Sequence, residues 1–217
     1  MSRTAGIIGL GIMGSAMARQ MVKSDFTVYG FDLSGDALKS AQSDGVDTLA
    51  SAAAVAEKTE GIVCSLPSPL SLKEVVEEIA ASAATGCIMI ETSTLKIADK
   101  EAAQEILTTA GHKLLDCPLS GTGQQAQTGD LAVFTSGDEE ALKKCLPAIE
   151  AFSRENKYCG PFGNGSRMKF VANHLVTIHN TAAAEAMVLG MKSGLDPHLI
   201  HDVIGSSAAT SRMFEVR

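Results

Sequence analysis

Three glycines near the start of the chain have the spacing of a phosphate cradle. The run Gly9-Leu10-Gly11-Ile12-Met13-Gly14 follows an apolar stretch and precedes residues with helical periodicity. In such a run the first glycine permits a tight strand-to-helix turn, the second lets the backbone approach a pyrophosphate, and the third lets the helix pack closely on the strand. Asp32 ends the next apolar run and could accept hydrogen bonds from a ribose. The pattern therefore predicts a dinucleotide site.

A second candidate for chemistry is the pair Lys169 and Asn173. The two residues are four apart in a segment with helical periodicity, so they project from one helix face. A lysine beside a bound nicotinamide can give a proton to a carbonyl oxygen as hydride reaches the carbon, or accept a proton in the reverse direction. Desolvation or the positive nicotinamide would lower its pKa from about 10.4. On spacing alone, a solvated lysine and a surface amide are the simpler interpretation.

A third candidate is the segment from Asp116 to Gln125, which follows a predicted strand. It is rich in backbone N–H groups and in neutral hydroxyl and amide donors. Such groups suit a small carboxylate, although an ordinary polar loop has the same composition.

Short apolar runs alternate with helical patterns through the first three quarters of the chain. The pattern predicts strands at 4–8, 27–31, 61–66, 87–90, 113–117 and 131–135, and helices at 13–23, 72–81 and 97–110. This alternation is typical of an α/β fold, a doubly wound and mainly parallel sheet of the Rossmann type. Ligands bind such sheets outside the strand carboxyl ends, where Pro67, residues 92–94 and residues 120–123 would emerge.

The pattern changes at a cluster of helix breakers between Cys159 and Gly165. A long helix is predicted from 166 to about 193, followed by a second helix with Asp196 as its cap and Pro197 in its first turn. We therefore expect a dinucleotide-binding domain at 1–163 and the start of an all-α domain at 164–217.

Composition narrows the function further. The chain has 217 residues, a formal charge of −7 and 45% hydrophobic residues, with no Lys/Arg-rich block, which argues against nucleic acid or an anionic membrane as a partner. Five widely spaced cysteines indicate reduced thiols, and the absence of a signal-peptide pattern or an apolar run of about 18 residues indicates a cytoplasmic protein. His198 and His201 share a helix face beside Asp202, but an exposed helix surface is the simpler interpretation without a third ligand at hand, so no metal site is predicted.

Three motifs in order resemble one enzyme family. They are the glycine run followed by Met17-Ala18, the segment from Asp116 to Gly121, and Gly165-Ser166-Arg167-Met168-Lys169-Phe170-Val171-Ala172-Asn173. Together they resemble the β-hydroxyacid dehydrogenase family, the group that contains 3-hydroxyisobutyrate dehydrogenase. The resemblance implies an NAD(P)-dependent oxidation of a short β-hydroxy acid, or reduction of the matching aldehyde acid, by a homodimer or larger homo-oligomer.

The resemblance also implies site residues. Lys169 matches the catalytic lysine, Asn173 the asparagine that orients substrate, and Ser120 with Gly121 the loop that binds the substrate carboxylate. The residues implied to contact the cofactor are Gly9, Leu10, Gly11, Ile12, Met13, Gly14, Asp32, Leu66, Pro67, Ser71 and Thr94. Asp32 should favour NAD over NADP, because a carboxylate repels a 2′-phosphate and no cation stands at Leu33 or Ser34.

Two departures from the family pattern limit what the resemblance implies. Thr122 and Gln125 stand where the family usually has glycines, so we expect both to contact substrate and to narrow the pocket or bind an extra hydroxyl. The chain also ends after two helices of the second domain, so we expect the C-terminal part of that domain to be lacking. A non-catalytic dinucleotide-binding or dimerisation module, an imine reductase and a 6-phosphogluconate-type dehydrogenase are the alternatives.

Overall fold

The computed structural model describes residues 3–216, which divide by packing into one unit that ends at Lys169 and a second that begins at Phe170. The first unit contains β1 (Arg3–Ile8), α1 (Ile12–Lys23), β2 (Phe26–Phe31), α2 (Gly35–Ser43), β3 (Asp47–Thr48), α3 (Ala52–Ala56), β4 (Gly61–Cys64), α4 (Pro69–Ala80), β5 (Ile88–Glu91), α5 (Ile97–Thr109), β6 (Lys113–Asp116), β7 (Leu119–Ser120), α6 (Gly123–Gln127), β8 (Leu131–Thr135), α7 (Glu139–Phe152) and β9 (Ser153–Tyr158). The long helix α8 (Asn164–Lys192) begins in the first unit and continues into the second, which also contains α9 (Pro197–Gly205) and α10 (Arg212–Val216). The domain boundary predicted between 163 and 164 stays a prediction, and the packing divides the chain six residues later.

A six-stranded sheet in the order β3-β2-β1-β4-β5-β6 forms the centre of the first unit, and every neighbouring pair is parallel. The predicted Rossmann-type sheet is confirmed. The strand order reverses direction between β1 and β4, and ligands bind sheets of this order in the crevice beyond the carboxyl ends of those strands.

Both faces of this sheet are covered, which explains why its strands are short apolar runs. Successive residues of β1 point to opposite faces: Ile7 packs into one buried cluster with Met17 and Met21 of α1, and Ile8 into another with Leu72 of α4. The predicted helices at 13–23, 72–81 and 97–110 are confirmed as α1, α4 and α5.

A second sheet, which the sequence analysis did not predict, has the order β7-β8-β9. The predicted strand at 131–135 is its central strand, antiparallel to β7 and parallel to β9. A single bridge between Asp116 and Ser136 joins the end of β6 to this sheet. The residues between β6 and β7 are therefore held at one end by the six-stranded sheet and at the other end by the second sheet.

The second unit is entirely helical, as predicted for this part of the chain. Asp196 caps α9 by accepting from the backbone N–H groups of His198 and Leu199, and Pro197 occupies the first turn. Gly190 of α8 lets α9 approach closely, because a Cβ there would lie 2.4 Å from Ile200 Cδ1. Between residues 3 and 216, no helix is both long enough and apolar enough to cross a membrane.

Candidate active site

The glycine run forms the turn between β1 and α1, and each glycine has a separate physical reason. Gly9 has φ +89°, a backbone conformation that residues with a side chain rarely adopt. A Cβ on Gly14 would lie 1.8 Å from the carbonyl oxygen of Gly9, so only glycine lets α1 pack on the turn. Around Gly11 no protein atom lies within 4 Å of such a Cβ, which leaves open space beside the backbone.

The N-terminus of α1 is suited to an anion. Gly11 is its N-cap and provides no side-chain cap, and the first turn contains no acidic residue. The first backbone N–H groups of the helix therefore keep no side-chain partner, and open space lies beside Gly11. These features fit the pyrophosphate of a dinucleotide.

Asp32 follows the last residue of β2, and its carboxylate is held in place by two backbone donors. The N–H of Leu10 donates to Oδ2 at 2.6 Å, and the N–H of Ser34 donates to Oδ1 at 2.8 Å. Each oxygen keeps a second lone pair that can accept from a ribose hydroxyl. Asp32 therefore both fixes the glycine turn and offers an acceptor beside it.

A cavity of about 660 Å³ lies beside the glycine turn. Its lining includes eight of the residues expected to contact a cofactor, namely Gly9, Gly11, Ile12, Met13, Asp32, Leu66, Pro67 and Ser71. Leu10 is buried beneath the turn, Gly14 packs against Gly9, and Thr94 is exposed and lies outside this lining.

The cavity wall also contains acidic residues that the sequence analysis missed. Glu74 and Glu78 of α4 belong to its lining, and the described lining contains no Lys or Arg that could pair with them. The sequence signal was available, because Ser71, Glu74 and Glu78 recur at three- and four-residue spacing on one helix face. With Asp32, these carboxylates make the wall acidic.

The proposed carboxylate loop begins at β7, where Ser120 is half-buried and Gly121 has φ +148°. Thr122 is the N-cap of α6 and forms a capping box with Gln125: its hydroxyl accepts from the Gln125 N–H at 3.3 Å, and its own N–H donates to Gln125 Oε1 at 3.0 Å. The Gln125 amide also donates to Asp130 at 3.1 Å. Both residues therefore have a local structural role that the sequence analysis missed.

This loop lies against the cofactor cavity. A Cβ on Gly123 would lie 2.8 Å from Cγ2 of Ile12, whose side chain belongs to the cavity lining. The structure thus brings the start of α6 to the glycine turn, as expected for loops that emerge at the carboxyl ends of the strands.

Lys169 is the sixth residue of α8, and the first turn of that helix is fixed against the segment after β6. A Cβ on Gly165 would lie 2.6 Å from the Asp116 carbonyl oxygen, and the Gly165 N–H donates to Ser136 Oγ at 3.0 Å. Lys169 is half-buried, and this burial lowers the pKa of its ammonium group below the usual range. Asn173 is exposed and belongs to the second unit.

Metal and disulfide chemistry receive no support from the side chains. Across residues 3–216, no group of three or more His, Cys, Asp or Glu side chains could hold a metal ion. The five cysteines are free, and four of them are buried.

Family models match both parts of the chain. The model for the NAD binding domain of 6-phosphogluconate dehydrogenase matches residues 4–160, and the model for the NAD-binding of NADP-dependent 3-hydroxyisobutyrate dehydrogenase matches residues 163–217.

Individual relatives agree with these matches. L-threonate dehydrogenase of Cupriavidus necator is 32% identical, over 100% of this chain and 74% of that protein. Mitochondrial 3-hydroxyisobutyrate dehydrogenase of Mus musculus is 33% identical, over 94% of this chain and 62% of that protein. The chain therefore spans between 62% and 74% of the length of these relatives.

Solved structures give the same result. The structure of Mycobacterium tuberculosis 3-hydroxyisobutyrate dehydrogenase with L-serine superposes with a TM-score of 0.93 at 28% identity, over 100% of this chain and 74% of that chain. Imine reductases at 13% to 19% identity share the fold. The glycine turn and the fixed Asp32 agree with the family matches along both parts of the chain. The chain therefore belongs to the NAD(P)-dependent hydroxyacid dehydrogenases, a family of oxidoreductases, and its first unit is their NAD(P)-binding domain.

Proposed function

We propose that this chain binds NAD beside the glycine turn and oxidises the hydroxyl group of a short β-hydroxy acid, or reduces the matching aldehyde acid. The observation that carries the proposal is the placement of Lys169. It is half-buried, has a lowered pKa, and stands one turn beyond the start of α8, which is fixed against the segment leading to Ser120.

Lys169 is proposed as the proton-transfer residue. Oxidation of an alcohol releases a proton from oxygen as hydride leaves carbon, and NAD supplies the hydride acceptor when bound. In its neutral form, Lys169 Nζ takes the hydroxyl proton; in reduction, the ammonium form returns it. Burial favours the neutral form, so it brings the lysine closer to the working range of a base.

Ser120 and Gly121 are proposed to hold the substrate carboxylate with hydroxyl and backbone donors. The Ser120 side chain is half-buried and Gly121 is exposed, so both can reach a small anion at the edge of β7. Asn173 is proposed to hold the reacting oxygen, and this role rests on the family resemblance.

The preference for NAD over NADP is proposed from charge. Asp32, Glu74 and Glu78 all line the cavity, and a 2′-phosphate placed among three carboxylates would be repelled. Leu33 is 89% exposed and offers no compensating cation.

Thr122 is the remaining candidate for substrate discrimination. Both side chains take part in the capping box, but Gln125 is half-buried and its amide also donates to Asp130, whereas Thr122 is exposed and its hydroxyl oxygen keeps a second lone pair, so we propose Thr122 as the specificity residue. We propose a substrate that carries a hydroxyl in addition to the one oxidised. The relative named L-threonate dehydrogenase supports this class, since threonate is a polyhydroxy acid.

Assembly and compartment are also proposals. We infer a homodimer or larger homo-oligomer because the second unit exposes large apolar side chains, among them Leu175, Ile178 and Leu189. Sedimentation velocity at two concentrations tests this oligomeric state, and a monomer at both concentrations would overturn it.

The free thiols favour a reducing compartment such as the cytoplasm. Fluorescence microscopy of the tagged full-length protein tests this location.

Turnover on a substrate panel tests the proposed function. Absorbance at 340 nm is followed with NAD or NADP and with 3-hydroxyisobutyrate, L-threonate, L-serine and a 2-hydroxy acid, and with NADH or NADPH and a cyclic imine, while calorimetry measures binding of each cofactor. The proposal expects turnover of a β-hydroxy acid with NAD. NAD binding without turnover of any substrate would favour the alternative of a non-catalytic dinucleotide-binding module, and turnover of imines alone would favour a reductase of that class.

A further inference from the structure

A lysine without a role in the proposed reaction lies at the centre of the first unit. Lys100 of α5 is fully buried, with 0% of its side chain exposed. Its Nζ lies 2.6 Å from Glu91 Oε2 and 2.8 Å from Asp116 Oδ1, and both carboxylates are also fully buried. Glu91 and Asp116 end β5 and β6 and are paired in register, so one cation forms ion pairs with the carboxylates of two neighbouring strand ends. A buried charged group of this kind is rare and costly unless it is paired.

The ion pairs keep Lys100 charged. Burial alone would lower the pKa of this ammonium group, but Glu91 and Asp116 outweigh burial and raise it. The lysine therefore remains a cation that holds both carboxylates in fixed positions.

One branch of this cluster leads to the cofactor cavity. Glu91 Oε1 accepts from the Ser93 N–H at 2.8 Å, and Ser93 Oγ in turn accepts from the Leu66 N–H at 2.8 Å. Leu66 belongs to the cavity lining, next to Pro67. A single serine therefore connects that wall to Glu91.

The other branch leads to α8. Asp116 Oδ2 accepts from the Ser166 N–H at 2.7 Å, and Oδ1 accepts from Ser166 Oγ at 2.7 Å. Ser136 Oγ donates to the same carboxylate at 3.2 Å. Ser166 precedes Lys169 by three residues, about one helical turn, so Asp116 fixes the turn on which the proton-transfer lysine stands.

We propose that Lys100 is a positioning residue that ties the Leu66 wall of the cofactor cavity to the first turn of α8, so that cofactor and Lys169 keep one relative placement. The part of this proposal that concerns proton transfer by Lys169 rests on the proposed function. The two hydrogen-bonded branches do not depend on it. Burial raises the pKa of Glu91 even beside Lys100, so without the cation Glu91 either takes up a proton or faces Asp116 as a second buried charge. In both cases the ion pairs that fix the two carboxylates are lost, and both branches loosen together.

The test compares Lys100→Met with Leu107→Ala in the full chain. Leu107 is a buried residue of the same helix that takes no part in the cluster, so its truncation reproduces a loss of stability without touching either branch. Amide hydrogen exchange of the free chain is measured at Leu66 and Ser166, calorimetry gives the affinity for NAD, and steady-state kinetics give kcat and KM. Lys100→Met is expected to speed exchange at both amides, weaken NAD binding and lower kcat, each by roughly tenfold relative to the control.

Two milder variants keep the proposal testable if Lys100→Met does not fold. Ser93→Ala is expected to speed exchange at Leu66 and weaken NAD binding while leaving Ser166 as in the wild type, and Ser166→Ala is expected to lower kcat with NAD affinity unchanged. If Lys100→Met folds and matches Leu107→Ala in exchange at both amides, or if the two serine variants show no such separation, the proposal is overturned. Because exchange and NAD binding need no turnover, a chain that oxidises none of the acids tested would refute the proposed function and leave this test valid.

Discussion

Alanine at two positions of the glycine turn should affect two properties differently: Gly14→Ala should lower the stability of the fold, and Gly11→Ala should weaken cofactor binding. In Gly14→Ala the new Cβ must move from 1.8 Å to at least 3.0 Å from the Gly9 carbonyl oxygen, and both groups are backbone-fixed. Overpacking of this kind costs about 1–3 kcal/mol, which for a chain of this length lowers Tm by roughly 2–12 °C. In Gly11→Ala the Cβ enters open space, and the φ of −67° suits alanine, so the free energy of unfolding should change by no more than about 0.5 kcal/mol.

Cofactor binding should fall in Gly11→Ala without a comparable loss of stability. The Gly11→Ala methyl group stands where the pyrophosphate must approach the backbone, so NAD affinity should weaken by roughly tenfold, about 1.4 kcal/mol. Thermal unfolding followed by circular dichroism and calorimetric titration with NAD measure the two effects. A Gly11→Ala variant that binds NAD as the wild type does, or a Gly14→Ala variant that melts with the wild type, would refute the roles assigned to these glycines.

Three further variants test the cavity, a helix cap and the substrate loop. Exchange of Asp32 for Ser with Leu33 for Arg should move the ratio of kcat/KM for NADP over NAD upward by roughly tenfold or more; an unchanged ratio contradicts the charge argument. Asp138→Ala removes the cap of α7 and should cost about 1 kcal/mol in urea unfolding at pH 7. Lys113 and the Ala141 N–H hold the pKa of Asp138 below its usual range, so this stabilisation is complete above about pH 4 and should be lost as the pH falls through the lowered pKa; a cost independent of pH would refute it. Thr122→Ser keeps the hydroxyl and the cap of α6 but removes a methyl group, and should change the relative kcat/KM among hydroxy acids if that methyl group narrows the pocket; an identical profile would exclude this steric role.

The elements that hold the cofactor could be predicted because their constraints are local. The predicted strand at 4–8 and helix at 13–23 each begin within one residue of β1 and α1. The glycine turn and the periodicity of the apolar residues mark where each of these elements begins. The site residues expected beside that turn line a single cavity, apart from the buried Leu10 and Gly14 and the exposed Thr94.

Other elements depend on contacts that the sequence does not show. The residues of β9 are polar and largely exposed, so no alternation predicts a strand, and β9 forms by backbone pairing with β8. In contrast, α7 had a signal that the analysis missed, because Asp138 is followed by Ala141, Leu142, Cys145 and Ile149 at helical spacing.

Lys100 shows the limit of reasoning from sequence most clearly. A lysine in an amphipathic helix is normally solvated, and only the register of Glu91 opposite Asp116 creates a buried site that needs a cation. Likewise, the capping box gives Thr122 and Gln125 a local structural role, and the substrate contacts expected from their departure from the family pattern stay a prediction.

The pH dependence of kcat/KM for oxidation of the best hydroxy acid, in the wild type and in Lys169→Met, tests the central claim most directly. Burial lowers the pKa of Lys169, and the base must be neutral to accept a proton, so wild-type activity should rise with pH through an apparent pKa below the usual lysine range. Lys169→Met should bind NAD as the wild type does, lose roughly 10²–10⁴-fold in rate and lack this rise. A variant that keeps the wild-type rate, or the same rise with pH, would contradict the assignment of Lys169 as the proton-transfer residue.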